Sequence, residues 1–198
     1  MKPAASVSCI PLKDLVTSTR RGLSTPYLRN GNETILLVKA KDITIDGDLS
    51  AETVDTERVR RTPAFDRARL NPGDILVTVA GSRFRAAVVH EAAADLIASN
   101  SLIALSFDRS RILPEFAAWY LNSSRGQSDI QRWASGAGMM SLNTASLLEV
   151  AIPLPSLEEQ ERLVDLLRLI RSYRGILEEE TALLNKIMDS LMEDVIRE

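Results

Sequence analysis

Short apolar runs bounded by turn residues fill most of the chain before residue 150. Each run is rich in Val, Ile, Leu or Phe and begins or ends near Gly, Asp, Asn or Ser, a pattern typical of strands. The runs span residues 33–43, 73–81, 84–90 and 101–107. Between the second and the third, the stretch AGSRF predicts a hairpin with Arg83 and Arg85 at or near its tip. The pattern therefore predicts a sheet that includes a basic hairpin.

A helical pattern replaces the strand pattern in the middle of the chain. Residues 113–124 place Pro114 in a first helical turn and continue with the apolar spacing of an amphipathic helix. Trp119 and Tyr120 are interpreted as core residues of this helix. Residues 135–143, with the sequence SGAGMMSLN, combine two glycines with small polar side chains and predict an adaptable loop. The extended IPLPSL stretch then closes the body of the protein.

A long helix is predicted from residue 156 onwards. Ser156 and, three residues later, Glu159 form a capping-box pattern. Apolar residues then recur at seven-residue steps, as in a coiled-coil seam, at Leu163, Ile170, Leu177, Leu184 and Leu191. About 40 helical residues at a rise of 1.5 Å per residue would extend roughly 60 Å. Gly175 lowers the helix propensity by about 1 kcal/mol relative to alanine, which allows a kink or a short break near residues 172–178.

The leucine seam predicts an association surface. A body of this size cannot cover so long a helix, and an apolar stripe left in water associates. The predicted interface residues are Leu163, Leu167, Ile170, Leu177, Leu184, Ile187 and Leu191. A second copy of the chain would pair through them symmetrically. The alternative is that the segment folds back as two shorter helices around Gly175 and buries its own stripe.

Charge is distributed unevenly along the chain, whose net charge is −3. Residues 156–198 carry a net charge of −5, whereas residues 1–155 carry +2. Arginines cluster within positions 58–69 and again at Arg83 and Arg85, and such clusters can create a local basic face without a basic total. A solvated surface run is the alternative interpretation of the same arginines.

The remaining composition limits the functional class. With 45% hydrophobic and 26% charged residues, the chain is typical of a soluble protein. Its apolar stretches fall short of the roughly 20 residues of a membrane span, and residues 1–10 lack the core of a signal peptide. Cys9 and His90 each stand alone, which excludes an intrachain disulfide and a cysteine-rich or histidine-rich metal cluster. These features indicate a cytoplasmic protein that uses neither a metal nor a cofactor.

Catalytic motifs are absent from the sequence. It contains no G-x-x-x-x-G-K-[ST] phosphate loop, no G-x-S-x-G nucleophile elbow and no H-E-x-x-H zinc motif. Gly136 and Gly138 form only an isolated G-x-G, which is a weak signal. Residues 42–48 hold three acids near a glycine but lack the twelve-residue calcium-loop pattern, so they predict a turn. The sequence therefore favours binding over catalysis.

The order of several segments resembles a known family. The segments are RGLSTPYL near the start, KDI after the first predicted strand, LNPGDILVTVAGS, ASNSLIALSF, LPEFAAWYLNS and IPLPSLEEQERLV. In this order they resemble the target recognition domain and the following helix of the DNA specificity subunits of type I restriction-modification systems. The IPLPSLEEQ junction is the strongest part of the resemblance, which spans nearly the whole chain.

This resemblance implies a fold and a set of partners. The expected fold is α+β, with a mixed-sheet target recognition domain over residues 1–155 and a helical, coiled-coil spacer over residues 156–198. The domain would read half of a bipartite site in double-stranded DNA. The spacer would dock adenine methyltransferase subunits, with a restriction translocase subunit as a further candidate partner. The chain itself would not be an enzyme.

The sequence departs from the family in one respect. A full-length member has two recognition domains and two spacers, whereas this sequence has one of each and resembles a half-subunit. Two copies would then pair through antiparallel helices as a homodimer and read an inverted repeat. Two other functions stay open, namely a dimeric coiled-coil adaptor that reads no DNA, and an isolated recognition domain separated from a methyltransferase. The second of these leaves the heptads unexplained.

Candidate DNA contacts are basic or polar residues in or beside loops and strand ends. They are Lys39, Lys41, Arg60, Arg61, Arg83, Arg85, Arg132 and Asn143, with Gln131 and Ser141 as weaker candidates. An arginine on a hairpin can reach either a phosphate or a guanine. The target sequence and its gap depend on side-chain directions, which a sequence does not reveal.

Overall fold

A computed structural model of the chain describes residues 7–24, 29–94, 96–136 and 138–197. The chain divides into a compact first unit that ends at Gln160 and a second unit that begins at Glu161. The described strands are β1 Cys9–Pro11, β2 Val16–Arg21, β3 Arg29–Val38, β4 Asp55–Val59, β5 Ile75–Thr78, β6 Ala86–Val88, β7 Ile97–Ala98, β8 Leu102–Phe107 and β9 Ala151–Pro153. The described α-helices are α1 Ala64–Ala68, α2 Pro114–Asn122, α3 Ser124–Gln131, α4 Thr144–Leu148 and α5 Leu157–Arg197. Short 3-10 helices lie at Leu12–Asp14, Ala40–Asp42, Ala51–Thr53 and Glu91–Ala93.

Two sheets form the frame of the first unit. The larger sheet has the strand order β2-β8-β5-β6 and is antiparallel throughout. The smaller sheet has the order β4-β3-β7, with β4 antiparallel and β7 parallel to β3. The predicted α+β fold with a mixed sheet is confirmed. The four predicted strand runs correspond to β3, β5, β6 and β8, and the predicted amphipathic helix corresponds to α2.

A separate two-stranded ladder joins the beginning and the end of the first unit. Strand β1 pairs antiparallel with β9, with Ile10 opposite Ile152. Immediately after β1, the Leu12 N–H donates to the Val150 carbonyl at 2.9 Å. The apolar IPLP run is therefore extended because β9 pairs with the start of the chain.

Clusters of buried apolar side chains pack against both sheets, and one of them combines residues from the two sheets. The cluster at the larger sheet includes Leu76, Val89 and Leu102. The cluster at the smaller sheet includes Val59 from β4 and Phe65 from α1, so α1 covers one face of that sheet. Every residue of β5 is buried, because this strand lies in the interior of its sheet.

A buried carboxylate fixes the turn that precedes β5. Gly73 has a φ of 81°, a conformation that favours glycine. The Asp74 side chain is almost fully buried and accepts hydrogen bonds from the Asn71 N–H and the Ser106 hydroxyl, both at 2.7 Å. It also pairs with the Arg20 guanidinium. These partners offset the cost of burying a charge, and they explain why an aspartate ends the NPGD turn.

The long helix α5 begins with the predicted capping box. The Ser156 hydroxyl accepts the Glu159 N–H at 3.3 Å, and the Glu159 carboxylate accepts the Ser156 N–H at 3.1 Å. The helix then continues for 41 residues through Gly175, a length of about 60 Å. The alternative of two shorter helices around Gly175 is wrong, because one glycine costs little in a long cooperative helix. Within the described residues, no helix is long and apolar enough to cross a membrane.

Candidate nucleic-acid interface

The connection between β5 and β6 carries two of the predicted DNA contacts, Arg83 and Arg85. The two strands form an antiparallel hairpin, as predicted, but residues 79–85 make a longer connection than the tight turn expected. Thr78 closes the base of this connection. Its N–H donates to the Arg85 carbonyl at 3.0 Å, and its hydroxyl accepts the Arg85 N–H at 2.9 Å.

The two arginine side chains of the hairpin have different surroundings. The Arg83 side chain is exposed and donates to the Asn122 carbonyl at 2.6 Å. Arg85 is partly buried, and its guanidinium donates to the Ile43 carbonyl. Arg85 therefore joins the hairpin to the turn that follows β3, whereas Arg83 is available at the surface.

Two side-chain amides hold the hairpin in place. The Asn122 amide donates to the Ala86 carbonyl at 2.7 Å and accepts the Ala86 N–H at 2.9 Å. The buried Gln127 accepts the Phe84 N–H at 3.0 Å and donates to the carbonyls of Phe84 and Leu121, both at 2.6 Å. Sequence reasoning missed both residues, because an isolated amide that pairs with a distant backbone leaves no periodic signal.

Residues 135–142 lie against the hairpin connection. Ser135 and Ser141 close the loop, since the N–H of each donates to the carbonyl of the other at 2.7 to 3.0 Å. Two further bonds anchor the loop to the hairpin: the Gly81 N–H donates to the Met140 carbonyl at 3.0 Å, and the Leu142 N–H donates to the Val79 carbonyl at 2.7 Å. Gly136 has a φ of 132°, and a Cβ there would lie 2.4 Å from the Met139 carbonyl oxygen, so the turn requires glycine. The sequence predicted an adaptable loop here. The structure instead ties the loop to the hairpin; Ala137 lies outside the described residues.

Asp129 orients two arginines on and after α3. Its carboxylate accepts hydrogen bonds from the Tyr120 hydroxyl at 2.7 Å and from Arg125 at 3.1 Å, and it lies 3.3 Å from Arg132. The Arg125 and Arg132 side chains are nevertheless 72% and 69% exposed. Burial, together with the hydrogen bond to Asp129, raises the pKa of Tyr120 to about 12, so its hydroxyl remains a neutral donor. The predicted contact Arg132 is thus held at one point while most of its side chain stays accessible.

Lys39 and Lys41 take part in an ion-pair network. The Lys39 ammonium lies 2.8 Å from Asp55 and 2.9 Å from Glu57, and the Lys41 ammonium lies 2.9 Å from Asp55. Hydrogen bonds from Lys39 and then Lys41 lower the pKa of Asp55 to about 2, while hydrogen bonds to Asp55 and then Glu57 raise the pKa of Lys39. Asp42 is fully buried, 3.8 Å from Lys41. The three carboxylates outnumber the two lysines, so this group is not a basic patch.

Arg60 and Arg61 lie beyond the other end of β4. Arg60 lies five positions after Asp55, which corresponds to about 17 Å at the rise of a strand. Among the described residues, the ion pairs of Arg61 are both long, 3.7 Å to Glu33 and 3.8 Å to Asp66. The Arg60 side chain is exposed and makes no ion pair within the described ranges. These two arginines therefore lie apart from Lys39 and Lys41, the partners of Asp55.

The structure thus groups four of the eight predicted contacts at one place. We call the surface formed by residues 39–43, 79–85 and 135–142 the hairpin edge. It contains Lys39, Lys41, Arg83, Arg85 and the weaker candidate Ser141. In the part of the chain that the structure describes, no group of three or more His, Cys, Asp or Glu side chains could hold a metal ion.

Asn143 has a structural role at the start of α4. Its side-chain oxygen accepts the Ser146 N–H at 2.8 Å, which makes it the N-cap of that helix. Removal of such a cap costs about 1 kcal/mol of stability. A substitution at Asn143 would therefore lower stability, and a change in DNA affinity would not by itself show that Asn143 contacts DNA. The weaker candidate Gln131 is exposed at the end of α3.

The second unit exposes most of the predicted seam. The exposed fractions are 47% for Ile170, 42% for Leu177, 55% for Leu184, 49% for Ile187 and 60% for Leu191. Leu163 and Leu167 are half-buried. An apolar stripe of this length on a single helix is a surface suited to association with another helix.

The chain matches a known family over most of its length. The family model described as "Type I restriction modification DNA specificity domain" matches residues 13–186. The specificity subunit of the type I restriction enzyme EcoBI from Escherichia coli is 25% identical over 194 residues. That alignment covers 92% of this chain and 40% of the EcoBI subunit.

Solved structures have the same fold. The HsdS subunit from Thermoanaerobacter tengcongensis matches with a TM-score of 0.61 at 20% identity, over 92% of this chain and 49% of that one. The S subunit of the type I restriction-modification system from M. genitalium matches with a TM-score of 0.55 at 19% identity, over 87% of this chain and 41% of that one. This chain therefore spans less than half the length of the relatives that it matches.

Proposed function

Because this chain belongs to the family of type I restriction modification DNA specificity domains, we propose that it reads a DNA sequence on behalf of a methyltransferase and catalyses no reaction itself. The match over residues 13–186 carries the proposal, since it includes nearly all of the first unit and much of α5. In this proposal, residues 1–155 form the target recognition domain and residues 156–198 form the spacer.

The exposed arginines of the first unit are the proposed contacts to DNA. Arg83 and Arg132 present accessible guanidinium groups, which can hold a phosphate or pair with guanine in the major groove. Arg60 and Arg61 are proposed to hold phosphates, because the described part of the chain offers Arg60 no ion pair and Arg61 two long ones. Such local clusters can attract DNA although the chain carries a net charge of −3.

The other candidates of the hairpin edge have a less direct role in this proposal. Lys39 and Lys41 would reach a phosphate only by exchanging their carboxylate partners Asp55 and Glu57. Arg85 would have to leave the Ile43 carbonyl. We therefore propose that these three residues mainly maintain the structure of the hairpin edge. Only their exposed atoms would contact DNA.

The spacer is proposed to pair with the spacer of a second copy. The exposed apolar seam of α5 supports this, because water-exposed leucines at heptad spacing gain stability when two helices bury them. Antiparallel pairing would place the two recognition domains at opposite ends of the helix pair. Adenine methyltransferase subunits would dock on the paired spacers, and a restriction translocase subunit is a further proposed partner. The complex would act in the cytoplasm.

Two identical domains related by a two-fold axis would read the same half-site twice. The expected target is therefore an inverted repeat with a gap of unread base pairs. Single-molecule methylation sequencing of a host that carries this chain with its methyltransferase would reveal the motif. An asymmetric bipartite motif would contradict the homodimer and indicate a different partner chain. Methylation without any sequence preference would contradict DNA reading and favour the coiled-coil adaptor.

A further inference from the structure

The hairpin edge exposes a large apolar side chain that the fold does not use. Met139 is 73% exposed, the largest exposed fraction of any large hydrophobic side chain of the first unit within the described residues. Trp133, which lies two residues before the base of the same loop, is 45% exposed. A single exposed apolar residue is common on protein surfaces, so its exposure alone indicates no function.

The backbone around Met139 is fixed by hydrogen bonds, so the exposed side chain is held in a defined position. The loop is closed at its base by the Ser135–Ser141 pair, and the carbonyl of the next residue, Met140, accepts the Gly81 N–H at 3.0 Å. Gly136 makes room for the Met139 carbonyl. Met139 is therefore presented from an anchored backbone beside the hairpin, and little backbone freedom would be lost when it binds a partner.

The charges of the segments that adjoin Met139 favour DNA as the partner. Arg83 lies on the adjacent hairpin connection, and Arg132 directly precedes Trp133. Arg132 and Arg125 share a single carboxylate, that of Asp129, so this local group carries a net positive charge. An apolar tip on a loop whose adjoining segments carry accessible arginines fits a DNA groove, where phosphates border base edges. The apolar group that the major groove offers is the C5-methyl of thymine.

We propose that Met139 reads one thymine of the half-site by packing against its C5-methyl group, while Arg83 and Arg132 hold phosphates beside it. This inference rests on the proposed function. Removal of one buried methyl group from such a contact corresponds to about a fourfold loss of affinity. Because the contact is apolar, it does not change the dependence of binding on salt.

The test uses the full chain in complex with its methyltransferase and a duplex that contains the selected site. Each thymidine is replaced in turn by 2′-deoxyuridine, which lacks only the methyl group. At one position per half-site, we expect this replacement to weaken binding about fourfold. In Met139→Ala, the same replacement should have no effect, and the salt slope should match that of the wild type. Met139→Leu, which keeps an apolar tip, should retain the dependence on the methyl group.

Leu36→Ala is the matched control, because Leu36 is a 48% exposed apolar residue on the smaller sheet of the same unit. It should keep the wild-type response to deoxyuridine. The inference is overturned if no thymine position responds in the wild type, or if Met139→Ala responds as the wild type does. It is also overturned if Met139→Ala weakens methyltransferase binding with the DNA preference unchanged, since Met139 would then contact protein. A wild-type complex without sequence preference would instead reject the proposed function.

Discussion

The side chain of Gln160 is bonded directly to the backbone of Leu113, whose N–H donates to the Gln160 Oε1 at 2.8 Å. The Gln160 Nε2 donates in turn to the carbonyls of Arg111 and Pro155, both at 3.0 Å. Leu113 is the N-cap of α2, and Gln160 is fully buried in the first turns of α5. One amide therefore joins the beginning of the long helix to the beginning of α2.

Gln160→Ala is expected to destabilise the protein by about 1 to 3 kcal/mol, because the Leu113 N–H and the two carbonyls lose their partner in a buried site. Urea unfolding should show a lower midpoint with an unchanged slope. Glu161→Ala is the matched control at the next, exposed position and should stay within about 0.5 kcal/mol of the wild type. Equal stability of the two variants would contradict this role of Gln160.

The sequence predicted those elements whose signal is local. The heptads and the Ser156–Glu159 capping box predict α5, and apolar runs predict β3, β5, β6 and β8. Strand β4 was not predicted because its sequence, DTERV, is mostly polar, and β7 was not predicted because it has two residues. Gln160 belongs to the IPLPSLEEQ junction that resembles the family, but its bonds to Arg111 and Leu113 depend on the tertiary fold.

In the candidate site, too, local features were predictable from the sequence and tertiary contacts were not. The hairpin that carries Arg83 and Arg85 was predicted from local residues. The acidic partners of Lys39 were not, because Asp55 and Glu57 reach it only through the pairing of β4 with β3. A basic residue beside a strand end can thus be engaged in an ion pair that no local pattern reveals.

Substitutions of the two hairpin arginines are expected to have different effects, one on DNA binding and the other on stability. Arg83→Ala should weaken DNA binding with little change in stability, because the side chain is exposed. Arg85→Ala should lower the unfolding midpoint, because its partly buried guanidinium bonds the Ile43 carbonyl. If Arg83 holds a phosphate, the slope of log affinity against log salt should become shallower by about one unit. Thermal unfolding and salt-dependent binding of each variant are the measurements. Unchanged binding by Arg83→Ala would mean that the hairpin is structural.

The ion pairs of Asp55 predict a loss of stability in acid. Lys39 and Lys41 lower its pKa from 3.8 to about 2 in the folded protein. The unfolded chain therefore takes up this proton at higher pH, and the stabilisation is present above about pH 4 and is lost as the pH falls through about 2. The difference in melting temperature between the wild type and Asp55→Asn should narrow between pH 5 and pH 2.

A matched control for this prediction is Asp66→Asn, since the Asp66 carboxylate lies 3.8 Å from Arg61 and both side chains are exposed. The difference in melting temperature between Asp66→Asn and the wild type should be smaller than that for Asp55→Asn, because exposed and distant ion pairs contribute little to stability. Added salt should reduce the effect of Asp55→Asn by screening. A melting difference for Asp55→Asn that stays constant over this pH range would contradict the assigned pairing.

The exposed seam of α5 predicts that two charges on it prevent association. Leu177→Glu combined with Leu184→Glu should yield monomers, because pairing would bury unpaired carboxylates. Ser172→Glu combined with Asn185→Glu is the matched control, since it adds the same two charges at exposed positions outside the seam. The control should remain dimeric in multi-angle light scattering. A dimer of the seam variant would refute pairing through these leucines.

The length of the spacer is expected to set the gap between the two half-sites. Deletion of residues 182–188 removes one heptad, about 10 Å of helix, and keeps the seam in register because Leu191 then follows Leu177 at a seven-residue step. In an antiparallel pair, the separation between the two domains would shorten by about this distance, which corresponds to about 3 base pairs of DNA. The methylated motif should therefore keep the bases of each half-site and lose about 3 base pairs from the gap, or methylation should cease because the domains no longer face both half-sites. An unchanged gap with full methylation would mean that the spacer does not determine the separation of the half-sites.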